Sequence, residues 1–251
     1  MNLIELNRAL KQLRLGGIAA VLETRLRQAQ TEAMAPIDLI SCLVSDELAR
    51  RGERLLERRR KQAEFRDPQR TLDNFDFDFN KKINRSLVFD LATGAFIGRH
   101  EDGLFLGPPG TGKSHLAVAL AVAACRQRKR VRFTTAAEMV TEMIEAQSQL
   151  QLTRVRNRWM RYELVVVDEL GYVVMPDAAA ELLFQVIAGR AEQAAVIVTT
   201  NLPFSEWPTK IPNARLCKAM LDRLTDRAHI IETGTESYRF RRTMARKGGK
   251  P

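Results

Sequence analysis

Cysteine, histidine and aromatic residues are scarce in this sequence of 251 residues. Its three cysteines, Cys42, Cys125 and Cys217, form no CxxC pair, so neither a disulfide framework nor a cysteine-bound zinc is expected. The three histidines follow no metal-ligand spacing, and we therefore expect no structural metal. Aromatic residues make up only 6% of the chain, which argues against a surface that stacks many unpaired bases.

Long apolar runs are missing as well. No segment reaches the roughly 18 apolar residues that a membrane helix needs. The polar, helical start at residues 1–15 differs from a secretory signal, and the unpaired thiols favour a reduced compartment. We therefore expect a cytoplasmic protein that has no membrane partner.

Positive charge is in excess and unevenly distributed. The net charge is +10, which favours a polyanionic partner such as nucleic acid; a basic protein without such a partner is the alternative. Residues 1–66 carry 13 basic and 9 acidic groups, residues 67–238 are balanced, and residues 239–251 carry 6 basic groups and no acidic one. This distribution indicates a neutral catalytic core with basic ends.

The first 66 residues are predicted to form a basic, helical N-terminal domain that contacts DNA or a partner. Leucines recur at spacings of three and four from Leu3 to Leu13, as on one face of a helix. Pro36 is placed to open a later helix, whose end is strongly basic. That end is predicted to contact DNA, a solvated face being the alternative. Its cations are Arg50, Arg51, Arg54, Arg58, Arg59, Arg60 and Lys61.

Residues 67–251 are predicted to form the catalytic domain, after a linker near Asp67. Phe75, Phe77 and Phe79 alternate with aspartates, which indicates a short strand or an extended segment; simple packing against the core is the alternative. From residue 103, apolar strands alternate with helical segments. The fold class is therefore α/β, with a parallel sheet covered by helices on both faces.

One segment matches the pattern G-x-x-x-x-G-K-[ST] of a phosphate-binding loop. Its glycines let the backbone curl so that N–H groups point at phosphate, and the following helix adds its positive end. Lys113 supplies a charge for the phosphates, and Ser114 supplies a hydroxyl ligand for Mg²⁺. A glycine turn with an incidental lysine is the alternative. The segment comprises Gly107, Pro108, Pro109, Gly110, Thr111, Gly112, Lys113 and Ser114.

Polar side chains end two further apolar strands. Asp168 and Glu169 follow the run 164–167, as in a Walker B strand. Asp168 is predicted to hold Mg²⁺, and Glu169 to orient and polarise the attacking water of ATP hydrolysis. If the two strands are neighbours, Asn201 lies beside Asp168 and holds that water; an ordinary turn residue is the alternative.

Two arginines near the C-terminus are candidates for stabilising charge in the transition state. Arg223 follows Asp222 on a predicted helix, and it is placed to act from a neighbouring subunit as an arginine finger. Arg239 comes after the last predicted strand and is placed to act within its own subunit. A surface salt bridge is the alternative for each.

These motifs together resemble the IstB-like ATP-binding proteins that assist insertion sequences, which are AAA+ ATPases similar to bacterial replicative helicase loaders. The resemblance extends over nearly the whole chain. It implies a P-loop AAA+ fold with a three-layer parallel sheet and a small helical N-terminal domain. The matching segments, in order, are GPPGTGKS at 107–114, LVVVDELGY at 164–172, FQVI at 184–187, MLDRL at 220–224 and ESYRF at 236–240.

The resemblance also implies partners and further site residues. ATP and Mg²⁺ are the expected cofactors, and double-stranded DNA, a cognate transposase and a homo-oligomer on DNA near the bacterial nucleoid are the expected partners. Phe75, Phe77 and His115 join the phosphate loop in the expected nucleotide site. By position, the stretch 138–161 matches a helix that faces DNA in related proteins, with solvated arginines as the alternative. Its arginines are Arg154, Arg156, Arg158 and Arg161.

Several functions fit this sequence. The leading one is an ATPase that oligomerises on duplex DNA and helps a transposase in target selection and strand transfer. A replicative helicase loader, which binds single-stranded DNA and a helicase, shares the same core. A third is a DNA clamp for which ATP is only an assembly ligand, and a fourth is a small-molecule kinase. The basic run 50–61 favours direct DNA contact and so the first of these.

Overall fold

The computed structural model describes residues 2–172, 174–211 and 213–248. The chain divides into two compact units, Met1–Arg58 and Arg59–Pro251. Across the described part of the chain, every helix is too short or too polar for a membrane span. The two units are described separately below.

The first unit is helical. An asparagine cap starts its first helix, since the Asn2 side chain accepts from the Glu5 N–H and the Glu5 carboxylate accepts from the Asn2 N–H. Buried Glu47 accepts from the Ile18 N–H at 3.1 Å, which satisfies a free donor at the start of the second helix. The helices are α1 (Leu3–Gln12), α2 (Gly16–Thr31) and α3 (Pro36–Ala63), and the boundary between the units falls within α3.

The second unit is built on a five-stranded parallel sheet, as the sequence predicts. The strand order is β2-β3-β4-β1-β5, so β3 and β4 are neighbours and β1 lies beside β4. The central strands are continuously apolar because both of their faces are buried. The strands are β1 (Asp102–Leu106), β2 (Val131–Thr135), β3 (Leu164–Leu170), β4 (Ala195–Thr200) and β5 (Ala228–Glu232).

Helices cover both faces of this sheet, which gives the three-layer α/β fold. The main hydrophobic cluster joins α7, α9 and α10 to alternate residues of the strands. α6 packs on β1 to β4 and contributes nothing to that cluster, so it covers the opposite face. The helices are α4 (Arg85–Ala92), α5 (Ala95–Gly98), α6 (Lys113–Arg126), α7 (Ala136–Ser148), α8 (Leu152–Trp159), α9 (Asp177–Arg190), α10 (Ala214–Thr225) and α11 (Tyr238–Gly248), with a 3₁₀ helix at Phe204–Thr209.

A buried arginine ties the start of β4 to the segment before β3. The Arg190 guanidinium donates to the carbonyls of Trp159 at 2.8 Å, Tyr162 at 2.9 Å and Ala195 at 3.0 Å. Burial lowers its pKa to about 10, and the nearby Asp102 opposes that shift. Three connections therefore depend on one fully buried side chain.

Replacing Arg190 with methionine is expected to lower the free energy of unfolding by about 3–5 kcal/mol, because three buried carbonyls lose their donor. Urea unfolding followed by circular dichroism measures the change. The exposed Arg126 is the matched control, and Arg126→Met is expected to shift stability by less than about 0.5 kcal/mol. Equal effects of the two substitutions would contradict this role of Arg190.

Candidate functional site

The phosphate-loop segment connects β1 to α6, as predicted. Gly112 has φ 102° and precedes the first residue of α6, Lys113. This conformation favours glycine, and a Cβ at Gly112 would lie 2.7 Å from the Phe75 ring. Gly110 also has a positive φ, 85°. The backbone N–H groups that begin α6 are thus placed for an anion.

The Lys113 side chain is buried within this loop. Its Nζ donates to the carbonyl of Pro108 at 2.7 Å, and only 8% of the residue is exposed. The pKa of Lys113 is lowered to about 8, chiefly by burial and also by the positive charge of Arg239, while Asp168 and Glu169 oppose the shift. A phosphate would restore full positive charge to this ammonium.

Asp168 lies at the end of β3 against the loop and β4. The Ser114 Oγ donates to Asp168 Oδ1 at 2.8 Å, and the Thr199 hydroxyl donates to the same oxygen. A serine hydroxyl beside a carboxylate suits Mg²⁺, which prefers oxygen ligands and keeps several waters. Within the described ranges, no three His, Cys, Asp or Glu side chains gather as a metal cluster.

Glu169 turns away from Asp168 because β3 is irregular at this point. The pairing of β3 with β4 shifts register between Val167 and Leu170, and Glu169 has φ 62°. Its N–H donates to Thr199 Oγ1 at 3.1 Å. A positive φ in a non-glycine residue costs free energy. The other seven such residues among those described follow the ends of helices, whereas Glu169 lies within a strand. The distortion places the exposed Glu169 at the cavity while Asp168 stays buried.

Asn201 follows β4 and lines the same cavity. Its Oδ1 is buried and accepts no hydrogen bond from the described residues. A buried acceptor without a donor is costly unless a water or a ligand supplies one. Asn201 therefore lies at the cavity with its amide oxygen turned away from solvent.

A cavity of about 640 Å³ joins these groups. Its wall is formed by the phosphate loop, the ends of β3 and β4, the segment 67–79 and the start of α11. That volume suits a small-molecule ligand. The lining residues include Asp67, Gln69, Arg70, Asn74, Phe75, Asp76, Phe79, Pro109, Gly110, Thr111, Gly112, Lys113, Ser114, His115, Glu169, Tyr172, Thr199, Asn201, Tyr238 and Arg239. Gly107, Pro108 and Asp168 lie behind this surface.

The segment that carries the three phenylalanines forms successive turns. The prediction of a short strand or an extended segment is wrong, because the Phe75 N–H donates to the carbonyl of Leu72 and the Phe79 N–H to Asp76 Oδ1. Phe75 and Phe79 line the cavity, whereas Phe77 packs on Phe75, with ring centroids 4.8 Å apart, away from it.

His115 fixes this segment on α6. Its Nε2 lies 2.9 Å from the carbonyl of Thr71 and 3.0 Å from Asn74 Oδ1, so this nitrogen carries the proton that both oxygens accept. Burial lowers the pKa of His115, which keeps the ring neutral. The Phe75 ring meets the imidazole edge-on, at 5.1 Å between centroids.

The two candidate arginines occupy different places. The Tyr238 N–H donates to the carbonyl of Gly110 at 3.0 Å, so α11 starts on the phosphate loop and brings Arg239 to the cavity. Arg223 is exposed on α10 and does not line this cavity. Its action on a neighbouring subunit stays a prediction.

The cations predicted to contact DNA differ in their surroundings. The Arg50 guanidinium donates to the carbonyl of Gly16, and Arg51 Nε lies 2.7 Å from Glu47 Oε1. Arg158 forms an ion pair with Glu142. Exposed cations comprise Arg54, Arg58, Lys61, Arg154, Arg156 and Arg161, while Arg59 is half-buried and donates to Gln62. Of the basic C-terminal residues, 249–251 lie outside the described residues.

Three residues at the site carry contacts that motif matching did not assign. Thr199 donates to Asp168, and both Phe79 and Tyr238 line the cavity. The two rings also pack edge-on, 5.1 Å apart. Thr199 stands two residues before Asn201, which is a usable signal because alternate residues of a strand share a face. No local pattern pairs Phe79 with Tyr238.

Comparison with known proteins agrees with this geometry. The profile of the family described as IstB-like ATP binding protein matches residues 8–246. An insertion sequence ATP-binding protein of Sinorhizobium fredii is 34% identical over 239 residues, which cover 95% of this chain and 80% of that one. The IS21 ATP-binding protein of Pseudomonas aeruginosa is 33% identical over 238 residues, covering 94% and 89%.

A solved structure shares the fold. DnaA of Aquifex aeolicus, solved with AMPPCP bound, superposes with a TM-score of 0.59 at 17% identity. The match covers 74% of this chain and 57% of the DnaA chain. At this identity the likeness concerns the fold alone.

Proposed function

This chain belongs to the family of IstB-like ATP-binding proteins, and we propose that it hydrolyses ATP, assembles on duplex DNA and assists the transposase of an insertion sequence. As a member of that family it is an ATP-binding protein with a P-loop AAA+ fold. The observation that carries the proposal is the convergence of Lys113, Ser114, Glu169, Asn201 and Arg239 on one cavity.

Each of these residues has a part in hydrolysis. Lys113 and the N–H groups of the loop bind the phosphates, and Ser114 and Asp168 hold Mg²⁺. When bound, Mg²⁺ supplies positive charge that neutralises the phosphate oxygens. Glu169 takes a proton from the attacking water, and Asn201, which lines the same cavity, holds that water with its side-chain amide.

Arginines complete the proposed site. Arg239 stabilises negative charge from within its own subunit, supported by its place at the cavity. Arg223 acts on the next subunit of a homo-oligomer, supported by its exposure away from its own cavity. Phe75, Phe79 and Tyr238 supply the apolar wall on which a nucleotide base packs.

The DNA-binding surface is proposed to be basic and to read the phosphate backbone. Residues 1–66 form the domain that meets DNA or the transposase, and residues 67–251 form the ATPase. In each domain, exposed cations contact the DNA phosphates. These cations are Arg54, Arg58 and Lys61 on α3, and Arg154, Arg156 and Arg161 on and after α8. The named relatives, which are ATP-binding proteins of insertion sequences, support a transposase as partner.

Binding of purified protein to random duplex and to single-stranded DNA tests this proposal. We expect cooperative duplex binding that requires ATP and Mg²⁺ and weakens with salt. Lys113→Ala is expected to lose this ATP-dependent binding to duplex DNA. A clear preference for single strands, or no DNA binding at all, would instead favour a helicase loader that works through a protein partner.

The affinity for ATP is expected to fall above pH 8. The pKa of Lys113 is about 8 in the free protein, and bound phosphates favour its charged form. Below pH 8 the charge is already present, whereas at higher pH binding must also protonate the lysine. From pH 7 to pH 9 the dissociation constant is expected to rise about tenfold.

Fluorescence titration with a labelled ATP analogue measures this change. Lys113→Arg is the control, because a guanidinium stays charged across this range. If the dissociation constant of the variant rises equally with pH, a group other than Lys113 causes the pH dependence.

A further inference from the structure

We infer that Leu150 is a wedge that inserts between base pairs of duplex DNA, an inference that rests on the proposed DNA binding. Leu150 occupies the turn between α7 and α8, and 95% of it is exposed. A leucine that is almost entirely in water buries no apolar surface within its own chain. Its side chain is therefore available to a partner.

The backbone of this turn is unfavourable for leucine. Leu150 has φ 57°, in the left-handed region where glycine or asparagine usually ends a helix. The turn itself is well defined, since the Leu150 N–H donates to the carbonyl of Gln147 at 3.1 Å and the Gln151 N–H to that of Ala146 at 2.7 Å. A rigid turn thus presents a large apolar side chain at a position where glycine would be more stable.

The surroundings of Leu150 indicate the class of partner. Leu152, Val155 and Trp159 turn the apolar side of α8 to the core. Arg154 and Arg158 lie four residues apart on α8, Arg161 follows the end of that helix, and all three are exposed. Neither Arg154 nor Arg161 has an ion pair among the described residues, while Arg158 pairs with Glu142.

An apolar tip in the same stretch of chain as the exposed Arg154 and Arg161 fits duplex DNA better than a protein surface. Arginines neutralise phosphates on both sides of a groove, and a leucine placed between them enters the base stack. Proteins that distort DNA use leucine and similar residues in this way, entering from the minor groove at easily unstacked pyrimidine–purine steps. Leu150 is accordingly a positioning residue for DNA shape and has no part in hydrolysis.

The test uses the full chain, a non-hydrolysable ATP analogue with Mg²⁺, and a duplex that carries 2-aminopurine at several TA steps. Wild-type protein is expected to raise the 2-aminopurine fluorescence at least about threefold, because insertion unstacks the base. Leu150→Ala is expected to remove more than half of that rise. Its affinity for the duplex should stay within about threefold, since the arginines still contact phosphate.

Two further variants serve as controls. Ile144→Ala removes another exposed aliphatic side chain, on α7, and is expected to leave the fluorescence rise unchanged. Leu150→Phe retains an apolar wedge and should keep the rise. Because Leu150 is exposed, none of its substitutions is expected to unfold the protein, which circular dichroism verifies.

The outcomes separate this inference from the proposed function. A wild-type chain that does not bind duplex overturns both. A chain that binds duplex without a fluorescence rise, or a Leu150→Ala variant with the full rise, overturns the wedge and leaves the proposed function standing. A variant that keeps the rise but loses contact with a protein partner assigns Leu150 to a protein interface and likewise overturns the wedge.

Discussion

Replacing Glu169 with glutamine is expected to lower the rate of ATP hydrolysis at least about 100-fold while ATP still binds. The amide keeps the size of the side chain but no longer accepts a proton from the attacking water. Lys113, Ser114 and Asp168 remain in place, since the distortion of β3 depends on the backbone and on Thr199. The protein should therefore accumulate in its ATP-bound state.

That trapped state is expected to stay on duplex DNA at least about tenfold longer than the wild type, if hydrolysis is the step that releases DNA. Phosphate release and dissociation from labelled duplex are the two measurements. Glu181→Gln, an exposed substitution on α9, is the matched control and should change neither. Normal dissociation with abolished turnover would mean that ATP serves assembly alone, as in a DNA clamp.

Arg223→Ala is expected to reduce hydrolysis by about 10³-fold, as loss of an arginine finger does in other phosphoryl-transfer enzymes. Because Arg223 lies on α10 and does not line its own cavity, the proposed effect requires a neighbouring subunit. Mixing two inactive variants tests this dependence. Glu169→Gln still binds ATP and keeps Arg223 but lacks the carboxylate, and Arg223→Ala has the converse defect.

An equal mixture of these variants should recover about a quarter of the wild-type rate, because a random arrangement pairs an intact Glu169 with an intact neighbouring arginine at one site in four. Steady-state ATPase assays on duplex DNA measure the recovery. Each variant assayed alone at the same total concentration is the control. A mixture with no more activity than its components would place Arg223 within its own subunit, or outside the site altogether.

The sequence was most informative where function depends on neighbours in the chain. The loop 107–114 and the strand that carries Asp168 were predictable, because a curled backbone and a buried strand each leave a local pattern. The adjacency of β3 and β4 was a stated condition for Asn201, and the strand order fulfils it.

Contacts between distant segments were not predictable in the same way. Alternation of Phe75, Phe77 and Phe79 with aspartates satisfies a strand pattern. The stretch instead forms turns, closed by backbone carbonyls and by the Asp76 side chain, since among the described strands none pairs with it. The positive φ of Glu169 arises from a register shift between two strands, and no single segment encodes such a shift. In the sequence, Arg190 is an ordinary basic residue in the last turn of a helix. Only the structure shows that it donates to three carbonyls.

The loop that binds phosphate is held from two sides by segments far apart in the chain. Phe75 packs over Gly112 and the Asn80 amide donates to the carbonyl of Thr233, while the Tyr238 N–H donates to Gly110. A fragment that begins at β1 or stops after β5 would carry every residue of the phosphate loop and still lack part of the cavity wall, from the segment 67–79 or from the start of α11. The smallest portion that keeps the whole cavity extends from Asp67 to Arg239. A chimaera with a relative should therefore take this entire portion from one parent.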